Sequence, residues 1–169
     1  DDFWNAMGNT FGIFILSTVP QLLLALMIAS LLNRKLRATT WWRVGVLLPY
    51  VTPVAASTLV FAVFFSRDNG MANWLLNLVG IGDQANPIDW RADKWSSWLA
   101  IATMVNWKWI GYNALLYLSA MQSIPKDVYE AAAVDGAGPW RQLWQITVPM
   151  IQPVVVFTVI LSTIGGLQL

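Results

Sequence analysis

Neither cysteine nor histidine occurs in the 169 residues, and only 11% of them are charged. The two missing residue types remove disulfides, thiol nucleophiles, imidazole bases and zinc sites of the usual kind. No G-x-x-x-x-G-K-[ST] string is present, so the chain holds no nucleotide through a P-loop. A net charge of +1 points to no polyanionic partner, nucleic acid included. The charges that do occur avoid long tracts. Phe3 to Asn33, Val44 to Ser66 and Gln142 to Leu169 carry none, and Trp95 to Gln122 carries only Lys108.

Each of these windows exceeds the roughly 20 residues a helix needs to cross a hydrocarbon core. With 57% apolar residues, the chain reads as an all-α, polytopic transmembrane helix bundle. Lipid offers backbone N–H and C=O groups no partners, and the alternating short strands of a barrel are absent from the sequence. The expected spans are 10–32, 44–65, 97–120 and 148–169. The chain begins at Asp1 and stops inside an apolar run at Leu169, the pattern expected of a truncated segment of a longer protein.

Short loops set the expected orientation. NRKLRATTWWR holds Arg34, Lys35, Arg37 and Arg43 and no acid, which the positive-inside rule places in the cytoplasm. The loop 66–96 includes Asp68, Asp83, Asp89 and Asp93 and falls outside, and 123–147 returns to the cytoplasm. Within the outer loop, Trp74, Leu75, Leu78 and Val79 form one apolar helical face, with Gly80 as its stop. Trp4, Trp41, Trp42, Trp90, Trp95 and Trp98 flank the spans as interfacial anchors. Prolines 20, 49, 53, 149 and 153 lie in or beside spans; either they are ordinary membrane-helix composition or they bend helices around a cavity.

The stretch EAAAVDGAGPWRQLWQITVP, Glu130 to Pro149, breaks the apolar rhythm. Ser123 is expected to cap a first helix over Pro125 to Val134, Asp135-Gly136 to end it, and Pro139 to start a second running to Thr147. Trp140, Leu143, Trp144 and Val148 form a stripe that has to be covered by the ends of the spans or by a partner. At about nine residues each, neither helix would hold alone in water. A hairpin packed on its own spans and a docking site for a second protein both satisfy that requirement.

Lys108, in WKWIGYN, costs about 2.5 to 3.5 kcal/mol at a span centre on insertion scales, so it needs a watery cavity or a partner. No acid lies in the spans to meet it. It is either half of a structural ion pair with a group elsewhere, a snorkelling side chain, or part of a polar and aromatic strip lining a cavity. That strip would comprise Asn106, Trp107, Lys108, Gly111, Tyr112 and Asn113. Asn106 and Asn113 would line one path, and Lys108 with Tyr112 another.

The string EAAAVDGAGPWRQLWQITVPMIQP closely resembles the coupling loop of permease subunits of binding-protein-dependent ABC importers, E-A-A-x-x-D-G-A followed some nine residues later by I-x-L-P. Glu130, Ala131, Ala132, Asp135, Gly136, Ala137 and Pro149 match, and Val148 replaces the usual Leu. NWKWIGYNALLYLSAMQSIPKDVYEAA, LLPYVTPVAAS and the closing IGGLQL are similar to the carbohydrate, maltose-permease-like branch. The resemblance implies a six-helix core with further spans after Leu169, and a multi-pass place in a bacterial or archaeal inner membrane. It implies a second permease, a cytoplasmic ATPase dimer seating the hairpin, and an extracytoplasmic binding protein that delivers a sugar. ATP and Mg would sit on the ATPase and no cofactor on this chain, which would be no enzyme. Sugar contacts would come from the Lys108 helix and from Gly165, Gly166 and Gln168, where polar amides of the maltose relative are replaced by Lys108 and glycines. A permease for polyamines or phosphate, and more distantly a membrane enzyme or passive channel, are the alternatives.

Overall fold

The computed structural model describes residues 2–33, 39–82 and 86–167. Asp1, most of the basic loop (Arg34, Lys35, Arg37), Asp83 and Gln168 lie outside them. Among the described residues every regular element is helical. Helix α1 runs Asp2–Leu32, α2 Thr39–Val51, α3 Val54–Phe64, α4 Met71–Leu78, α5 Lys94–Gln122 and α6 Lys126–Val134. A seventh, α7, is Pro139–Met150 with a π-helical turn at Leu143–Thr147, and α8 is Gln152–Gly166. Because nothing between Phe3 and Thr10 breaks a helix, and Asp2 suits the positive end of the dipole, α1 starts well before the expected Thr10.

Two expected boundaries are corrected. The window 44–65 is not one straight helix: α2 and α3 meet at 91° across Thr52-Pro53. Proline there has no N–H to give and crowds the preceding turn, so the helix stops and restarts. At the other end, α7 does not finish at Thr147; it continues to Met150, and the 75° bend falls at Ile151, before Pro153.

By length and composition, α1 is the one described helix that could cross a membrane alone, and counting each bent pair as one broken span brings the number to three. The fourth expected span, 97–120, lies in α5, which at 29 residues is about 43 Å long. Its Trp, Tyr, Asn and Lys side chains keep it below that apolar threshold. It nevertheless forms the centre of the bundle, packing against α1, α2, α3 and α8.

Ala25 and Ala29 of α1 face Ala114, Tyr117, Leu118 and Met121 of α5, and all are buried with Leu143 and Ile151. Alanines on both sides let two helices approach closely, which in a membrane provides most of the packing energy. The two run parallel: Gly12 lies against the Trp98 ring near one end and Ala29 near Met121 at the other. Helices α2 and α8 run the opposite way. Gly111 of α5 touches the Val46 carbonyl of α2, and the buried Tyr117 hydroxyl shares a 2.6 Å hydrogen bond with Thr158 Oγ1 of α8.

At the far end from α6, Asn73 ties the loop around α4. Its Nδ2 donates to the carbonyls of Arg67 and Ile88, both at 2.9 Å, and its Oδ1 accepts from Trp90 Nε1 at 3.0 Å. Trp90 and Trp98 therefore pack on protein rather than standing free, whereas Trp4, Trp41, Trp42 and Trp95 remain exposed. The apolar face of α4 (Trp74, Leu75, Leu78) is also exposed, and Gly80 closes that helix with φ +79.

Candidate functional site

Where α1, α2, α5 and α8 meet they leave a cavity of about 350 Å³. One face of α5 presents Val105, Trp109, Tyr112 and Asn113, residues spaced i, i+4, i+7 and i+8. Helix α1 adds Ser17, Thr18 and Gln21, α2 adds Tyr50, and α8 adds Leu161, Ser162, Gly165 and Gly166. Tyr50 stacks on Tyr112, centroids 4.7 Å apart and rings 18° from parallel, and meets Trp109 edge-on at 5.4 Å. Asn113 is 3% exposed, and its Nδ2 has no partner within the chain. Rings that pack against an apolar face, with amides and hydroxyls beside them, suit a small polyhydroxylated molecule. No charged side chain stands among the described residues lining this cavity.

Of the expected transport residues, Tyr112, Asn113, Gly165 and Gly166 come together here. Gln168 lies outside the described residues. Asn106, Trp107, Lys108 and Gly111 are placed elsewhere. The Trp107 ring packs 5.4 Å from Phe61 of α3, and the Asn106 Oδ1 is buried without a partner. Gly111 is consumed by the close approach of α2, where a Cβ would overlap the Val46 carbonyl oxygen. Lys108 Nζ donates to Thr52 O at 2.6 Å and Tyr50 O at 3.4 Å, so its partners are backbone carbonyls at the α2–α3 bend. Asn106 does not line this cavity with Asn113, although its neighbour Val105 does.

Sequence reasoning missed Ser17, Thr18, Gln21, Tyr50, Trp109 and Ser162. A signal existed for some of them. Ser17, Thr18 and Gln21 are polar, clustered within one turn and buried on one side of an otherwise apolar helix. Trp109 shares the face of Tyr112 and Asn113 at i+3 and i+4.

The second constellation is the α6–α7 hairpin. Helix α6 ends in a Schellman turn: Gly136 N–H donates to Ala133 O at 3.1 Å and Ala137 N–H to Ala132 O at 2.9 Å. Gly136 takes φ +78, which an L side chain rarely adopts. Ser123 does not cap α6; its hydroxyl donates to Ala120 O at 2.7 Å and closes α5, because the Ile124-Pro125 step leaves it a turn too early. Gln142 Nε2 reaches back to Ala137 O at 2.9 Å, and the Tyr129 hydroxyl meets Thr147 Oγ1 at 3.0 Å, so the two arms are stitched at both ends. The inner side is held by Val128, Tyr129 and Leu143 against the α1–α5 core.

The outer side is bare. Glu130, Ala131, Asp135, Gly136 and Pro149 are exposed, and Ala132 and Ala137 half-exposed. The expected tryptophan stripe is only partly covered by its own chain: Leu143 is buried, but Trp140 is 63% and Trp144 49% exposed. Among the described residues, no three of Asp, Glu, His and Cys gather as a metal site would require.

Residues 10–169 match the family described as "Binding-protein-dependent transport system inner membrane component". The chain is 39% identical over 168 residues to the lactose transport system permease protein LacF of Rhizobium radiobacter, spanning 99% of this chain and 55% of that protein. It is 34% identical over 169 residues to the arabinooligosaccharides transport system permease protein AraP of Halalkalibacterium halodurans, spanning 99% of this chain and 52% of that protein. The fold superposes on a bacterial ABC transporter involved in the import of the acidic polysaccharide alginate with a TM-score of 0.82 and 23% identity, covering all of this chain and 58% of that one. The chain thus spans about half the length of the curated relatives it matches.

Proposed function

Because the chain belongs to the family of binding-protein-dependent transport system inner membrane components, we propose that it is the permease subunit of an ATP-driven importer, and that it passes a sugar through the cavity between α1, α2, α5 and α8. One observation carries the reading: α7 and α8 form a single arm, with the exposed hairpin at one end and Ser162 and Gly165 of the cavity wall at the other. The arm is jointed at its π turn and at the 75° bend, so a push on the hairpin reaches the cavity as a shift of a packed helix.

In this proposal the hairpin seats in a cytoplasmic ATPase dimer. Glu130 meets a basic residue there, Trp140 and Trp144 fill its cleft, and Gly136 permits the corner. Hydrolysis of ATP with Mg occurs on that subunit, and this chain holds no cofactor. A second permease completes the pore, and a binding protein outside the membrane delivers the solute. The multi-pass placement in a bacterial or archaeal inner membrane, with the basic loop and hairpin in the cytoplasm, is part of the same proposal. It is supported by α1 ending beside the hairpin, where Met27, Leu31 and Asn33 line a cleft with Tyr129 and Trp140. The uncharged cavity lining favours a neutral sugar over a polyamine or phosphate.

The test is uptake by the complete importer in proteoliposomes, with lactose, maltose, an arabinose oligosaccharide, spermidine and phosphate as the panel. Sugar uptake is expected to need internal ATP, and E130K with G136R to abolish it along with ATPase capture. ATP-independent uptake would show a passive channel, and uptake untouched by the two substitutions would remove the hairpin from the mechanism.

A further inference from the structure

We infer that Lys108 is a positioning residue for the sugar cavity: it clamps the α2–α3 bend through backbone carbonyls and thereby sets the Tyr50 ring against Tyr112. The inference rests on the sugar reading above and deepens it.

The hydrogen-bond account at the bend leads there. Ending α2 at Val51 strips its last carbonyls of helical partners. Thr52 satisfies two of them, its hydroxyl donating to Leu48 O at 3.1 Å and its N–H to Pro49 O at 3.3 Å. Beyond the bend, the Pro53 carbonyl is met by the Ser57 N–H at 3.0 Å. The carbonyls of Tyr50 and Thr52 receive Lys108 Nζ, which lies 58 and 56 residues away in sequence, respectively. A cation at a helix C-terminus also meets the negative end of the dipole. The charge therefore has a place inside the bundle without an acid, and its ammonium points at backbone and not into the cavity.

One of those carbonyls belongs to Tyr50 itself, whose ring stacks on Tyr112 and touches Trp109. Tyr112 is four residues on from Lys108, one turn along the same helix. A single turn of α5 thus grips the Tyr50 backbone with one side chain and its ring with another. The grip holds a wall of the cavity that a 91° bend would otherwise leave free to swing.

The experiment is sugar uptake by the complete importer at saturating ATP with the sugar-loaded binding protein as the varied substrate, so that KM is the loaded-protein concentration at half-maximal rate, using whichever panel sugar the unsubstituted importer takes up fastest. K108M is expected to raise KM about tenfold while changing the maximal rate less than about twofold, since two carbonyls lose a charged donor. K108R, which keeps charge and donors, is expected to recover most of that affinity. On a Tyr50→Leu background K108M is expected to add less than about twofold, because residues acting through one ring are not additive. Where K108M fails to insert, K108Q carries the same comparison with the charge removed and an uncharged amide donor kept.

Equal KM increases in the unsubstituted and Tyr50→Leu backgrounds would overturn the inference, because Lys108 would then act by another route. An unchanged KM in K108M would overturn it too, as would a loss confined to anionic solutes, which would make Lys108 a charge offered to the ligand. Absence of sugar uptake by the unsubstituted importer strikes the sugar reading itself, a result scored before any variant is made.

Discussion

Replacing Gly111 with alanine should destabilise the bundle, although alanine is the better helix former. The gain from propensity is roughly 0.5 to 1 kcal/mol in a helix interior. Against it stands geometry: the new Cβ would sit on the Val46 carbonyl oxygen of α2. That neighbour is backbone, held in a helix, and cannot rotate aside as the tip of a side chain could. Helices α2 and α5 must separate, and overpacking of this kind costs about 1 to 3 kcal/mol. The net loss spans about 0 to 2.5 kcal/mol with its centre near 1.2, which at about 2–4 °C per kcal/mol lowers the melting temperature by roughly 2.5–5 °C. Gly45→Ala is the matched control, because nothing lies within 4 Å of a Cβ at that position in α2. Thermal unfolding of the full-length protein in detergent, followed by tryptophan fluorescence, compares them directly. G111A should melt several degrees lower and G45A no lower than the parent. If the two variants melt together, the close approach of α2 and α5 is not what holds this side of the bundle. A second readout follows, because Val46 and Tyr50 are one turn apart on α2. Moving α2 outward separates Tyr50 from Tyr112, so G111A should also raise the KM for sugar.

The tryptophans of the hairpin should separate docking from folding: W140A with W144A is expected to keep the melting temperature within about 2 °C, since both rings are largely exposed, while weakening capture of the ATPase subunit at least tenfold. A melting loss with capture intact would mean that the rings serve their own chain. Tyr117→Phe deletes the buried hydroxyl bonded to Thr158 Oγ1 and should cost about 0.6 to 1.7 kcal/mol in the same unfolding assay. Adding Thr158→Val also removes its 2.8 Å donation to Val155 O, so the double loss should exceed that of Tyr117→Phe but fall short of the sum of the two single losses, and fully additive losses would show that the two hydroxyls do not meet.

Much of the helix content was legible because charge is so scarce. Windows without a charged residue marked α1, the α2–α3 pair and the α7–α8 arm, and the lone Lys108 did not hide α5. Hairpin punctuation was equally open, since a left-handed Gly136 and a Pro139 at a helix start have few other uses. The bends were not legible. Pro49 and Pro53 lie four residues apart in the same apolar tract, yet only the second breaks the chain, and Pro20 and Pro149 sit inside helices. Which proline bends depends on whether neighbours can meet the freed carbonyls, and here Thr52 does so from within the bend while Lys108 does so from a position no local pattern links to it. The cavity was half legible for a related reason. A motif read along α5 names Tyr112 and Asn113, but the facing wall of Ser17, Gln21 and Tyr50 depends on how α1 and α2 pack.

The contrast between α1 and α5 explains why apolar content alone misjudges this protein. Helix α1 shows Phe11, Ile15, Val19 and Leu23 on its outer face, all exposed, and lipid demands that they be apolar. Helix α5 is flanked by α1, α2, α3 and α8, so its inner residues are solvated by protein instead of by lipid. There an asparagine and a lysine are tolerable, because hydroxyls, carbonyls or a bound solute can meet them. Lys108 has found carbonyls, whereas the Asn113 Nδ2 has found nothing within the chain and borders the cavity. A buried amide without a partner costs roughly 1 to 3 kcal/mol, a cost that a hydroxyl-bearing solute would relieve on entry and restore on leaving. On the function proposed above, the helix least suited to lipid is thus the one that would hold the sugar weakly and let it pass.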